Sequence, residues 1–159
     1  MVIIKGKAAG GTMAISTTDD GDFLGAKCAL FLGEHLLVLR RDDTPGLLWA
    51  GALDLPGGGR DVGELRSEET VLREIFEEVG LRLAKADLSY ARRYTKPEGH
   101  VWYFAAHLPA ACEADIVLGG EGQGWMVIEP SAFISAEDGV PVLQERLEHY
   151  LAWRRAKGV

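Results

Sequence analysis

Two predominantly apolar runs, Ala26–Leu32 and His35–Arg40, are joined by Gly33-Glu34 and predict a β-hairpin. From Ser67 to Val79 the apolar period changes to 3.6. Val71, Leu72, Ile75, Phe76 and Val79 share one arc of a helical wheel, and Gly80 stands where a helix C-cap belongs. Tyr90–Thr95 and Val101–Leu108 read as strands around the turn Lys96-Pro97-Glu98-Gly99, and Gly124–Ile128 as a further short strand. Val142–Ala156 repeats the helical pattern through Leu143, Leu147, Tyr150, Leu151 and Arg154, with Pro141 before it and Gly158 after it. Residues 1–22 are expected to be an arm and a loop. Residues 42–63 contain eight Gly and Pro and are expected to be loop throughout. Strands in this order with two helices predict an α/β sandwich with a mixed sheet.

With 159 residues, 47% hydrophobic and 26% charged, the chain fits one domain, 1–159, able to fold without a staple. No stretch approaches the ~20 apolar residues of a membrane span. The apolar start is too short for a signal peptide, and Cys28 and Cys112, in apolar surroundings, read as reduced core residues; both point to a cytoplasmic chain. The formal net charge of -7, from 24 acidic and 17 basic residues, argues against a long nucleic acid as partner. An acidic protein that handles phosphates needs a divalent cation to reverse the local field. The closing cluster Arg154, Arg155 and Lys157 reads as a solvated helix end. A homodimer is compatible with the sequence and is not readable from it.

The informative segment is LPGGGRDVGELRSEETVLREIFEEVGL, Leu55 to Leu81. On a helix, Glu74, Glu77 and Glu78 fall within roughly a 100° arc opposite Val71, Ile75 and Val79. Like charges so placed repel, and Mg²⁺ or Mn²⁺, which prefer oxygen ligands, remove that cost. On this arc alone a solvated acidic face is the more economical reading. Gly57-Gly58-Gly59 just ahead of the helix shifts the balance, because glycines let backbone approach a metal or a phosphate.

These residues resemble the Nudix hydrolase family, whose motif is Gly, five residues, Glu, seven residues, then Arg-Glu-U-x-Glu-Glu-x-Gly-U, with U bulky and aliphatic. Gly58 and Glu64 keep the first gap, and Arg73 to Leu81 match the second half throughout. Leu65 to Leu72 makes eight residues rather than seven, and Leu53 stands where the family often has an aromatic. Glu121-Gly122-Gln123 followed by Trp125 is similar to a loop of the MutT-like branch that supplies a further glutamate.

The resemblance implies a Nudix-type α/β/α sandwich and a set of roles. Glu77, Glu78 and the Gly57 carbonyl become metal ligands, and Glu74 a further ligand or the general base. Glu121 becomes a ligand or base, with an ordinary loop acid as the alternative. Arg73 orients the glutamates, Gly58 supports the loop, and the extra residue moves Glu64 to a supporting position. Arg40 and Arg41 are candidates for a substrate phosphate or base, with a plain surface role equally open. His35, His100, His107 and His149 form no cluster and read as structural, and Trp102, Tyr103 and Phe104 as core. The implied activity is metal-dependent cleavage of a diphosphate bond in a small nucleotide, a nucleoside triphosphate or an ADP-ribose-like conjugate. An inactive nucleotide-binding module and an RNA 5′-end pyrophosphohydrolase are the alternatives. The intact acidic arc speaks against the first and the charge of -7 against the second.

Overall fold

A computed structural model describes residues 22–159 and the backbone of three short strands ahead of them, β1 (Val2–Ile4), β2 (Lys7–Ala8) and β3 (Gly11–Thr12). The expected arm therefore contains sheet. β1 pairs antiparallel with β8 (Leu88–Lys96), and β2 pairs with β3; the remainder of residues 1–21 lies outside the described residues.

Among the described residues the main sheet runs β1-β8-β9-β4-β5-β10, with β9 at Gly99–Leu108, β4 at Phe23–Leu32, β5 at His35–Arg40 and β10 at Gly124–Ile128. The β4–β9 pair is parallel and the others antiparallel, so the sheet is mixed as expected. The expected strands around the turn at residues 97–98 are each longer, because β8 and β9 pair down to Lys96↔Gly99.

Residues 42–63 are not loop throughout. β6 (Leu53–Asp54) pairs with β5, and β7 (Gly57–Gly59) pairs with β4. Both are short ladders offered by the free edges of longer strands, which local composition does not register.

Strand alternation gives the sheet two apolar faces. Cys28, Leu30, Leu37, Trp102 and Phe104 face one side, where α1 (Ser67–Val79) lays Val71, Ile75 and Val79 over them. Phe31, Leu36, Val38 and Tyr103 face the other, covered by Phe133 of α2 (Pro130–Ser135) and by Leu143, Leu147 and Tyr150 of α3 (Pro141–Lys157). The result is an α/β/α sandwich. α1 keeps its expected bounds: Glu69 accepts from the N–H groups of Leu65 and Arg66, and Gly80, at φ 71°, returns its N–H to Phe76 O. Trp102, Tyr103 and Phe104 are fully buried, as expected of core. Cys28 is buried, and Cys112, in a 3-10 turn at Ala110–Asp115, is half-buried.

The two faces of α1 give the first prediction. Ile75→Ala, at a fully buried position, is expected to cost about 2–5 kcal/mol in urea unfolding. Phe76, expected on the apolar arc, instead lies at its exposed edge with Arg82 4.0 Å over its ring, so Phe76→Ala is expected to cost less than about 1 kcal/mol.

Candidate active site

β7 lies tight against β4, with Gly57 opposite Lys27 and Gly58 opposite Ala26. Gly57 has φ 126°, and a Cβ there would sit 2.2 Å from the Ala26 carbonyl oxygen. A Cβ on Gly58 would sit 2.7 Å from the Glu74 carboxyl. Only glycine lets this strand edge and the acidic face of α1 approach so closely. Across the gap, Gly57 N–H donates to Glu78 Oε1 at 2.8 Å.

Arg73 holds the acids in place. Its Nε donates to Glu64 Oε1 at 2.5 Å, Nη1 donates to Glu74 Oε1 at 2.9 Å and Glu77 Oε2 at 3.0 Å, and Nη2 donates to the Gly59 carbonyl at 2.9 Å. Glu64 also accepts from the Thr70 hydroxyl and the Asp61 N–H. The extra residue before α1 thus leaves Glu64 within reach of Arg73. Burial acts to raise the Glu64 pKa, but the hydrogen bonds from Arg73 and Thr70 outweigh it and bring the group down to about 2.

Glu74 and Glu78 are in the opposite condition. Desolvation raises both, Glu78 to about 7, despite the opposing charge of Lys27. Glu77 is exposed. Among the described residues, no three Asp, Glu, His or Cys side chains converge as a ready metal shell. Arg73 draws Glu74 and Glu77 toward itself, while Gly57 N–H takes Glu78. The donor chemistry still suits a divalent cation: carboxylate and carbonyl oxygens gathered with excess desolvated negative charge.

A cation of the chain's own is also present. Lys27 Nζ donates to Asp54 Oδ2 at 3.0 Å, Leu55 O at 3.0 Å and Gly57 O at 2.9 Å. Asp54, buried, also accepts from Arg41 Nη1 at 2.8 Å. Neither Lys27 nor Asp54 was singled out from sequence, although a lysine inside an otherwise apolar strand was the available signal.

One cavity of about 760 Å³ collects these groups, within the usual range for a small-molecule site. Gly57–Gly59, Glu74 and Glu78 line it, and so do Arg40, Arg41 and Glu121; Glu77 does not. Arg40 donates to Gly51 O and pairs with Asp138. The exposed Glu121 is brought there because Gly122 N–H donates to Asp42 Oδ2 and Gln123 Nε2 to Arg41 O. Trp125 instead packs against the α1-side core. Trp49, also missed, lines the cavity from the loop after β5; it is 46% exposed and holds φ 56°, an unusual backbone for an aromatic residue. The four histidines lie elsewhere: His35 beside Glu129, His100 on Thr95, His107 on Tyr150 and His149 on Tyr94.

The NUDIX domain model matches residues 23–151. The chain belongs to the Nudix hydrolase family. Among solved structures, this Nudix chain is similar to a MutT protein from Methanosarcina mazei Go1, at 19% identity and TM-score 0.64, covering 87% of this chain and 99% of that one. It is similar to an Ap4A hydrolase from C. elegans, at 20% identity and TM-score 0.62, covering 83% and 98%. A bifunctional NMN adenylyltransferase/ADP ribose pyrophosphatase from Francisella tularensis matches at 18% identity and TM-score 0.51, over 77% of this chain and 36% of that one. No curated protein matches the sequence significantly.

The Glu64–Arg73 contact sets an acid limit on the Nudix domain. A carboxylate whose folded pKa is depressed adds stability above its unfolded pKa, and that stability is lost as pH falls. Denaturation followed from pH 5 to pH 2 is expected to show a decline beginning near ~4.5 and complete near the folded value of about 2. In Glu64→Gln this part of the decline is expected to vanish; an unchanged profile counts against the contact.

Proposed function

We propose that this Nudix hydrolase cleaves the diphosphate bond of a small nucleotide, a nucleoside triphosphate or a nucleoside diphosphate joined to another group, with water as the nucleophile. The observation that carries the reading is the convergence, in one cavity, of an open glycine strand edge, two desolvated glutamates and a third, exposed glutamate. Two structural relatives are described as an Ap4A hydrolase and an ADP ribose pyrophosphatase, names that denote nucleotide anhydride cleavage.

Nudix hydrolases use divalent metal ions. Here Glu74, Glu78, Glu121 and the Gly57 carbonyl are the donors we assign to Mg²⁺ or Mn²⁺, with Glu77 turning in from the rim. The bound metal would neutralise phosphate charge and lower the pKa of a water. Arg73 keeps Glu74 oriented toward β7, and the glycine edge keeps the substrate's path free of side chains. Glu74 or Glu121 accepts the water proton as the new P–O bond forms and the anhydride P–O bond breaks. The two phosphates then separate, one carrying the nucleoside. Arg40 and Arg41, already ion-paired, border the substrate rather than offer free charge. Trp49 supplies an aromatic face at the mouth for the base.

A panel of nucleoside triphosphates, ADP-ribose and dinucleoside polyphosphates, assayed with Mg²⁺ or Mn²⁺ and analysed by mass spectrometry, tests this. Excess chelator is expected to abolish turnover, and full activity in chelator overturns the metal assignment. Glu74→Gln is expected to lower kcat about 10²–10⁴-fold if it is the base, with Glu121→Gln the control that identifies the alternative. Trp49→Ala is expected to raise KM roughly tenfold through lost stacking while sparing kcat.

A further inference from the structure

Five cationic side chains line the cavity: Lys27, Arg40, Arg41, Lys96 and Arg146. Three are committed to carboxylates, since Lys27 and Arg41 share Asp54 and Arg40 takes Asp138. Lys96 and Arg146 have no carboxylate partner among the described residues. Lys96 ends β8 in the open, but Arg146, on α3, is only 6% exposed, and its Nε is buried with no hydrogen-bond partner. Its guanidinium carbon lies 4.5 Å over the Tyr94 ring, whose hydroxyl is already bonded to His149 Nδ1. The neighbouring acid, Glu145, is exposed and lies near His149 rather than closing on the guanidinium.

A guanidinium this buried is ordinarily paired, because removing a charge from water without a counter-ion is costly. The aromatic face offsets part of that cost. Tyr94 also carries Arg92 at 4.8 Å, so positive charge gathers at this end of the sheet in a chain whose net charge is -7. Lys96 follows Tyr94 by two positions on the strand and so lies on the same face. The arrangement has an anion's share of donors and no anion of the protein's own.

We propose that Arg146, with Lys96 lining the same cavity from the strand that carries Tyr94, forms an anion-accepting subsite where α3 borders the cavity. It takes a phosphate of the substrate other than the two that share the cleaved bond. Arg146 suits that ligand, because its planar fork can meet two phosphate oxygens at once while its stem stays packed on Tyr94. Burial holds the free guanidinium below its ordinary pKa, and a bound anion would offset that. The subsite rests on the diphosphate reading only for the source of its phosphate. Its anion affinity is a property of the protein without metal or turnover.

The test is calorimetric titration of the full chain with inorganic pyrophosphate in chelator at low salt, where the carboxylate cluster repels the probe. Wild type is expected to bind one equivalent. Arg146→Met, checked for an unaltered thermal transition, is expected to bind at least tenfold more weakly, with Arg146→Lys between. Should Arg146→Met fail to fold, Lys96→Glu, at the exposed end of β8, carries the test and is expected to weaken binding about tenfold. No uptake by wild type, or wild-type affinity in the folded variants, overturns the subsite. In a second arm, kcat/KM is compared for a substrate with a distal phosphate and its counterpart without one. That ratio is expected to fall about tenfold in Arg146→Met, and an unchanged ratio overturns the assignment to substrate. If pyrophosphate binds as expected but no diphosphate compound is cleaved, the proposed function fails and the anion subsite stands.

Discussion

The site exists because β4 and β5, neighbours at Phe31↔Leu36 and Leu32↔His35, pair no further and part toward their other ends. Each then has an unsatisfied edge, and buried backbone groups must find partners. β7 closes on β4 and β6 closes on β5, so the gap between the parted strands is bordered by backbone rather than filled by side chains. The cavity is the consequence. Its acidic wall comes from α1, which packs on the sheet through Val71, Ile75 and Val79 and therefore turns Glu74 and Glu78 toward the glycine strand.

That geometry concentrates negative charge where water is scarce, and the fold answers with local cations rather than a basic surface. Arg73 reaches Glu64, Glu74 and Glu77, and Lys27 and Arg41 meet on Asp54. The compensation is incomplete at Glu74 and Glu78, whose pKa values remain raised by burial. Residual, uncompensated charge of this kind is what a divalent ion can use, whereas a fully paired cluster would have little affinity for one. Arg146, which lines the same cavity, has the complementary imbalance, a buried positive charge with no acid partner among the described residues.

Much of the framework was legible in the chain. The 3.6-residue period from Ser67 to Val79, closed by Gly80, defined α1 because its hydrogen bonds and its buried face are both local. The hairpin of β4 and β5, the strand pair β8 and β9, and the core placement of Trp102, Tyr103 and Phe104 followed from alternation and a turn. The acidic arc on α1 and the glycine run ahead of it were visible because each is a property of a few consecutive residues.

Tertiary structure decided what depends on segments far apart in sequence meeting. β6 and β7 are strands only because β4 and β5 leave edges for them, so Gly-rich composition alone suggested loop. Lys27 reaches carbonyls and an acid 27 to 30 residues away, and Arg40 meets an acid 98 residues away. Trp49 lines the cavity from a strained backbone, and Arg146, which in a helical pattern looks like one more solvated charge, is buried over Tyr94 of a strand well before it in the chain. Periodicity reports how a segment satisfies its own backbone and which face it hides. Which charge ends up beside which, and which is left without a partner, is settled by packing.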